Sequence, residues 1–418
     1  LDGTYTAYLT GNNSGVGTAT LSGTLNGSSF NDSENVTITE GLPNLAQSAI
    51  TSSPSTMTTD ETSTISVRLK DQWGNLIIHS RGDVALFTDL GVLSSVTDHN
   101  DGTYTATLSA NNTGTGTATI TGSFTGTGSA SAVNGPFSDN TTVLITEGLP
   151  VLSQIQITAN PVTITADETS LITIRLKDQH GNNLTQSRGT VTLATNPIGA
   201  LSAVTDNMDG TYSATFFLNA FGTGTATITG NFAGTGSASG VNGSITDNAT
   251  VLVSHGVATK LTILTQPSSI ATAGVVFAQQ PVIRIEDQFS NLVTADDATI
   301  VTAAVATGTD ILKGTLTATA IYGIAPFSGL FYTKAETITL GFSSAPALAT
   351  ATSTNIVVGH APVDHFALNA PANITAGASR AGYVVTRYDF YDNLVTTGPQ
   401  TVYLFSSSAG ANKKFFNA

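Results

Sequence analysis

The sequence has no cysteine. That rules out disulfide staples and thiolate metal sites, so core packing and backbone hydrogen bonds must hold the fold alone. Charge is also scarce: Asp, Glu, Lys and Arg make up 10% of the 418 residues, against about 25% in ordinary globular chains. What charge there is leans one way, with 28 acidic residues against 14 basic and a net charge of −14. Nothing resembles a basic stripe that could track a phosphate backbone, so nucleic acid is not expected as a partner, and anionic membrane surfaces repel such a chain. No apolar run approaches the ~20 residues needed to cross a bilayer, so membrane insertion is not expected either. The six histidines form no metal-spaced pair, and no nucleophile elbow or phosphate-cradling glycine loop opens a helix. These absences argue against an enzyme.

What the sequence does contain is itself, more than once. Residues 60–82 read DETSTISVRLKDQWGNLIIHSRG and residues 167–189 read DETSLITIRLKDQHGNNLTQSRG. Asp101-Gly102-Thr103-Tyr104 recurs as Asp209-Gly210-Thr211-Tyr212, and the same four residues stand at 2–5. A period near 100 residues exceeds that of a solenoid repeat, about 20–50 residues, and matches a whole small β-domain. The short joints Glu40-Gly41-Leu42-Pro43 and Glu147-Gly148-Leu149-Pro150 are equivalent. They divide the chain into 1–43, the second half of one domain, and two close copies, 44–150 and 151–256. After His255-Gly256 a second type begins, running over 257–361, and the first half of another of its kind covers 362–418. Within the second type, Asp287-Gln288-Phe289-Ser290-Asn291 corresponds to Asp389-Phe390-Tyr391-Asp392-Asn393.

Strand signals are dense and helical periodicity is absent beyond about ten residues. Thr64-Ile65-Ser66-Val67-Arg68-Leu69 alternates polar and apolar, and Ile172, Ile174 and Leu176 repeat the pattern. The predicted fold is all-β: tandem immunoglobulin-like β-sandwiches arranged as an extended rod. A chain that begins in mid-repeat reads as a processed product or a window on something longer. Completion of 362–418 by the 1–43 segment of a second molecule would give a head-to-tail filament, but the two halves are of different types.

Several motifs carry a possible chemistry. Lys70-Asp71-Gln72-Trp73-Gly74-Asn75 and Lys177-Asp178-Gln179-His180-Gly181-Asn182 lie between strands, where Gly and Asn tolerate positive φ and Asp accepts backbone N–H groups. Asp71, Asn75, Asp178 and Asn182 are therefore read as structural turn residues in preference to a calcium or ligand loop. Tyr104 and Tyr212 fit a tyrosine corner, the hydroxyl reaching back to the backbone to pin a crossover. The acids before them, Asp98, Asp101, Asp206 and Asp209, are candidates for Ca²⁺, although their spacing departs from the EF-hand loop. No other cofactor is expected. Arg81-Gly82-Asp83 invites an integrin-binding reading, yet its counterpart is Arg188-Gly189-Thr190 and it leads straight into a strand, so coincidence is favoured. Asn-x-Ser/Thr sequons at Asn26, Asn35, Asn140, Asn183, Asn248 and Asn373 permit glycosylation, but a Thr- and Asn-rich chain yields many by chance.

The stretches ISVRLKDQWGN and ITIRLKDQHGN, each followed by a late GTGTATITG strand, resemble the immunoglobulin-like repeats of the invasin/intimin family of bacterial adhesins. DNMDGTYSATF also resembles a segment of filamin-type repeats, while LTILTQPSSIATAG and VDHFALNAPANITAG resemble another bacterial immunoglobulin-like repeat common in very large surface proteins. The resemblance implies an extracellular, cell-surface stalk or filament. Its partners would be the neighbouring domains of the same filament and, through a separate tip, a host or surface receptor. Two other readings stay open: an accessory module of a secreted polysaccharide-active protein, and a phage fibre or decoration array.

Overall fold

In a computed structural model of the chain, residues 2–11, 15–110, 114–369, 382–405 and 407 are described. The sequon at Asn373 and the end of the last segment lie outside them. The described residues contain no α-helix; the helical elements are two single turns of 3₁₀ helix, Gly128–Ala130 and Gly236–Ala238, at matching places in the two close copies.

Residues 44–150 form a two-sheet sandwich. One sheet orders Thr97–Asp98, Thr103–Ser109, Thr62–Arg68 and Ala49–Ser53 side by side, all antiparallel. The other places the long strand Gly116–Gly126 between Asn134–Pro136, Gly82–Thr88 and Thr141–Thr146. Along Thr62–Arg68 the side chains alternate: Ile65 and Val67 are fully buried while Thr62 and Thr64 face water. The period of two in the sequence is the period of the pleat. From both sheets Ile65, Val67, Leu69, Tyr104, Leu108, Ile120, Phe124, Val143 and Ile145 meet in one core. Residues 151–256 repeat this arrangement strand for strand around Ile172, Ile174, Leu176, Tyr212, Phe216, Ile228 and Phe232. Residues 257–361 build a third core around Ile283, Ile285, Tyr332, Leu340 and Phe342. The flanking segments contribute largely exposed hairpins, Gly17–Leu21 with Glu34–Ile38 and Val363–Asn369 with Val384–Asp389.

One pairing fixes where each domain meets its neighbours. After leaving the first sheet at Ser53, the chain crosses over, and Thr56–Thr58 pairs in parallel with the last strand, Thr141–Thr146. Thr163–Thr165 does the same with Ala249–Ser254, and Ile270–Thr272 with Ile356–Gly359. First and last strands that run the same way bring the chain in at one end of the sandwich and out at the other. The turn after Thr56–Thr58, which holds Asp60, therefore sits at the C-terminal pole. The next strand runs back, so the turn that follows it, holding Asp71, sits at the N-terminal pole.

Candidate functional site at the domain joints

The Asp71 turn is self-contained. Asp71 Oδ1 accepts the backbone N–H groups of Trp73 and Asn75, both at 2.9 Å, and its other oxygen accepts from Asn75 Nδ2 at 2.9 Å. Gly74 supplies the left-handed backbone, φ +84°, that closes it. The same arrangement recurs at Asp178, Asp287 and Asp389, each with an Asn four residues on.

Each of these four carboxylates is buried, and each reaches out of its own domain. The Oδ2 atom of Asp71 accepts the backbone N–H of Gly41 at 3.0 Å, that of Asp287 the N–H of Gly256 at 2.8 Å, and that of Asp389 the N–H of Ala361 at 2.7 Å. Asp178 Oδ2 accepts both Gly148 N at 3.2 Å and the Thr59 hydroxyl at 2.7 Å, the latter from the body of the preceding domain. The linker is thus tied to the domain it leads into by a carboxylate that the turn has already oriented. Burial pushes these carboxyls up. Hydrogen bonds from Gly41, Asn75 and Trp73 to Asp71, and their counterparts at Asp178, Asp287 and Asp389, outweigh burial and hold all four below the ordinary aspartate value.

The preceding domain grips the same linker from the other side. Asp60 Oδ2 accepts Leu149 N and Asp167 Oδ2 accepts Val257 N, both at 2.7 Å. The second oxygen of each reaches across the joint: Asp60 Oδ1 accepts from Gln179 Nε2 and Asp167 Oδ1 from Gln288 Nε2, both at 2.7 Å. Glycine is needed here for closeness: a Cβ on Gly148 would lie 2.4 Å from Asp60 Oδ2, and one on Gly256 2.2 Å from Asp167 Oδ2. In the two turns of the second type the Asn adds another tie. Gly222 N donates to Asn291 Oδ1 at 2.8 Å, and Asn393 bonds both Ala335 N and Thr333 O of the domain before it. Phe289 packs against the core of residues 151–256 from the following domain.

The linker glutamates complete the joint. Glu40, buried, accepts from Arg81 Nη2 at 3.1 Å and pairs with His79 Nδ1 at 3.0 Å. Glu147 accepts the Thr185 hydroxyl at 2.7 Å, with Arg188 Nη2 at 3.9 Å. Burial raises both carboxyls, but the bonds from His79 and Arg81 to Glu40, and the bonds from Thr185 with the nearby charge of Arg188 at Glu147, bring them below the usual glutamate range. The arginine of the Arg81-Gly82-Asp83 tripeptide is therefore engaged by Glu40 and by Ser129 Oγ, while Asp83 lies within the strand Gly82–Thr88 opposite Thr125.

The tyrosines and two of the calcium candidates bond residues beside the joint arginines, not the linker itself. Tyr104 and Tyr212 are buried, and their hydroxyls donate to Gly82 O and Gly189 O at 2.6 Å, tying one sheet to the start of a strand in the other. Asp98 accepts from Ser80 Oγ and Asn100 N, and Asp206 from Ser187 Oγ and Met208 N. Asp101 and Asp209 each accept the N–H and hydroxyl of the threonine two residues on. Among the described residues no three His, Cys, Asp or Glu side chains gather as a metal site would need. Nor is any helix there long and apolar enough to cross a membrane. Missing from the sequence reading were Asp60, Asp167, Glu40, Glu147, Arg81, Arg188 and the two glutamines. Their signal was available, because the repeated stretch opens on Asp60 or Asp167 and closes on Arg81-Gly82 or Arg188-Gly189, and the equivalent joints open on Glu40 and Glu147.

The profile of the family described as "Invasin, domain 3" matches residues 44–135 and 151–253. Over those residues, somewhat less than half of the chain, the two central domains are similar to invasin-type immunoglobulin-like repeats. Among solved structures, that of invasin, described as a bacterial integrin-binding protein, is 20% identical with a TM-score of 0.39; the match covers 82% of this chain and 65% of that one, so the chain spans about two-thirds of its length. The Escherichia coli adhesin FdeC is 21% identical over 77% of this chain and 100% of its own, TM-score 0.41. Yersinia pseudotuberculosis InvD is 19% identical over 75% and 98%, TM-score 0.36. No curated protein sequence matches the chain. The described residues form all-β sandwiches, and those of residues 44–135 and 151–253 are similar to the immunoglobulin-like repeats of that family.

Proposed function

We propose that the chain is a stalk segment of a bacterial cell-surface adhesin, holding a binding element away from the cell and bearing tension, with no catalytic role. The observation that carries this reading is the recurring joint, in which a linker of a few residues is hydrogen-bonded from both sides. A flexible tether would leave those backbone groups to water. Parallel pairing of the first and last strands supports load-bearing, because tension applied at the two poles pulls Thr56–Thr58 and Thr141–Thr146 past each other. That loads their ladder bonds together in shear, where peeling would break them one by one. With strands of up to about ten residues rising about 3.4 Å each, three to four domains end to end span on the order of 150 Å. The Arg81-Gly82-Asp83 tripeptide is not proposed as a receptor site, since Arg81 is occupied within the joint. Single-particle electron microscopy of the 418-residue chain tests the reading: straight particles with a narrow spread of lengths are expected. Compact particles, or chains kinked at random between beads, would overturn it.

A further inference from the structure

The joints are not interchangeable, and two positions distinguish them. Asp60, Asp167 and Gly274 occupy the same place: each lies two residues beyond the short strand, Thr56–Thr58, Thr163–Thr165 or Ile270–Thr272, that pairs in parallel with the last strand of its domain. The second place of the next domain's turn holds Gln179, Gln288 and Phe390 respectively. Where the pole carries Asp, the successor carries Gln and the two are hydrogen-bonded at 2.7 Å. Where the pole carries Gly274, the glutamine is gone and the ring of Tyr391, next in the turn, takes the space. A Cβ on Gly274 would stand 2.2 Å from Tyr391 Cε2 and Oη.

The decisive comparison is between the two domains of the second type. Their turns are Asp287-Gln288-Phe289-Ser290-Asn291 and Asp389-Phe390-Tyr391-Asp392-Asn393, alike in the aspartate and asparagine that build the turn. They differ at the second position, and the difference follows the predecessor: Gln288 comes after a domain bearing Asp167, Phe390 after one bearing Gly274. The residue tracks the neighbour and not the repeat type. We infer that these paired positions determine which domain can follow which: a C-terminal pole bearing Asp takes an immunoglobulin-like successor with Gln in its turn, and a pole bearing Gly takes one with aromatic residues there. The match sets the angle at which the two lock. It holds whether or not the array serves as a stalk.

Both Asp167 and Gln288 are exposed, so changing them leaves the cores untouched. With no native cysteine in the chain, nitroxide labels placed on the exposed strand positions Thr250→Cys and Thr302→Cys report the joint between them by pulsed electron paramagnetic resonance. The unaltered joint is expected to give one narrow distance. Gln288→Phe and Asp167→Gly should each replace it with a broad or shifted distribution, while the double change, which rebuilds the Gly–aromatic match, should give back one narrow distance, because the pair acts as a unit. Circular dichroism unchanged from the parent confirms that the domains are intact. Single substitutions that leave the narrow distance in place, or a double change as broad as either single one, would overturn the inference.

Discussion

Buried polar atoms at two kinds of residue decide what holds this chain together. Tyr104 donates its hydroxyl to Gly82 O from inside the core. Tyr104→Phe keeps the ring and strands that carbonyl, which costs about 1–2 kcal/mol. Because Trp73 is the one tryptophan and stands in the same domain, its emission during urea unfolding isolates the loss; an unchanged midpoint would contradict the assignment. Asp71 and its three counterparts act through charge. In each the closed joint holds the carboxyl below its ordinary value of 3.8. Above 3.8 the carboxylate is ionised in closed and open forms alike, and its stabilisation is complete. As pH falls below that value the open form takes up the proton first, so stability declines until the lowered value is passed, where the contribution is gone. Lowering pH from about 5 to about 3 should therefore lower the urea midpoint read by Trp73, whose own N–H donates to Asp71. A midpoint flat across that window would count against the carboxylate's role.

At the scale of elements, the turns contribute to two structures at once, and substitutions should separate them. Asp178→Ala removes bonds inside its own turn as well as those to Gly148 and Thr59, so it should destabilise residues 151–256 by about 3 kcal/mol, the effect of stranding buried donors. Asp60→Ala touches only the exposed linker and Gln179. It should leave the melting of that domain within about 0.5 kcal/mol while exposing residues 147–150 to limited proteolysis; equal effects from the two changes would refute the division. The strands were legible from the sequence because Ile65, Val67, Ile172 and Ile174 follow the pleat, and the turn was legible from its Asp, Gly and Asn. What was not legible was the outward reach of Asp71 and Asp178. Their second oxygens bond residues 30 positions earlier in sequence, or 119 in the case of Thr59, and no local rule connects those. The parallel strand that places Asp60 at one pole and Asp71 at the other is likewise a long-range pairing.

For the whole molecule, the account rests on cores that fold separately and joints that do not swing. The cores needed only local alternation to be recognised. The joints required the topology, because Asp60, Glu147, Asp178, Gln179 and Arg188 converge only once two sandwiches are placed pole to pole. Small-angle X-ray scattering of the 418-residue chain, alone and with Asp60→Ala and Asp167→Ala combined, tests this most directly. The unaltered chain should give the pair-distance profile of a rod, one peak at the domain width and a long tail reaching on the order of 150 Å, and the doubly substituted chain a shorter, smoother one. Identical profiles, or a compact profile for the unaltered chain, would contradict the claim that these joints hold successive domains in line.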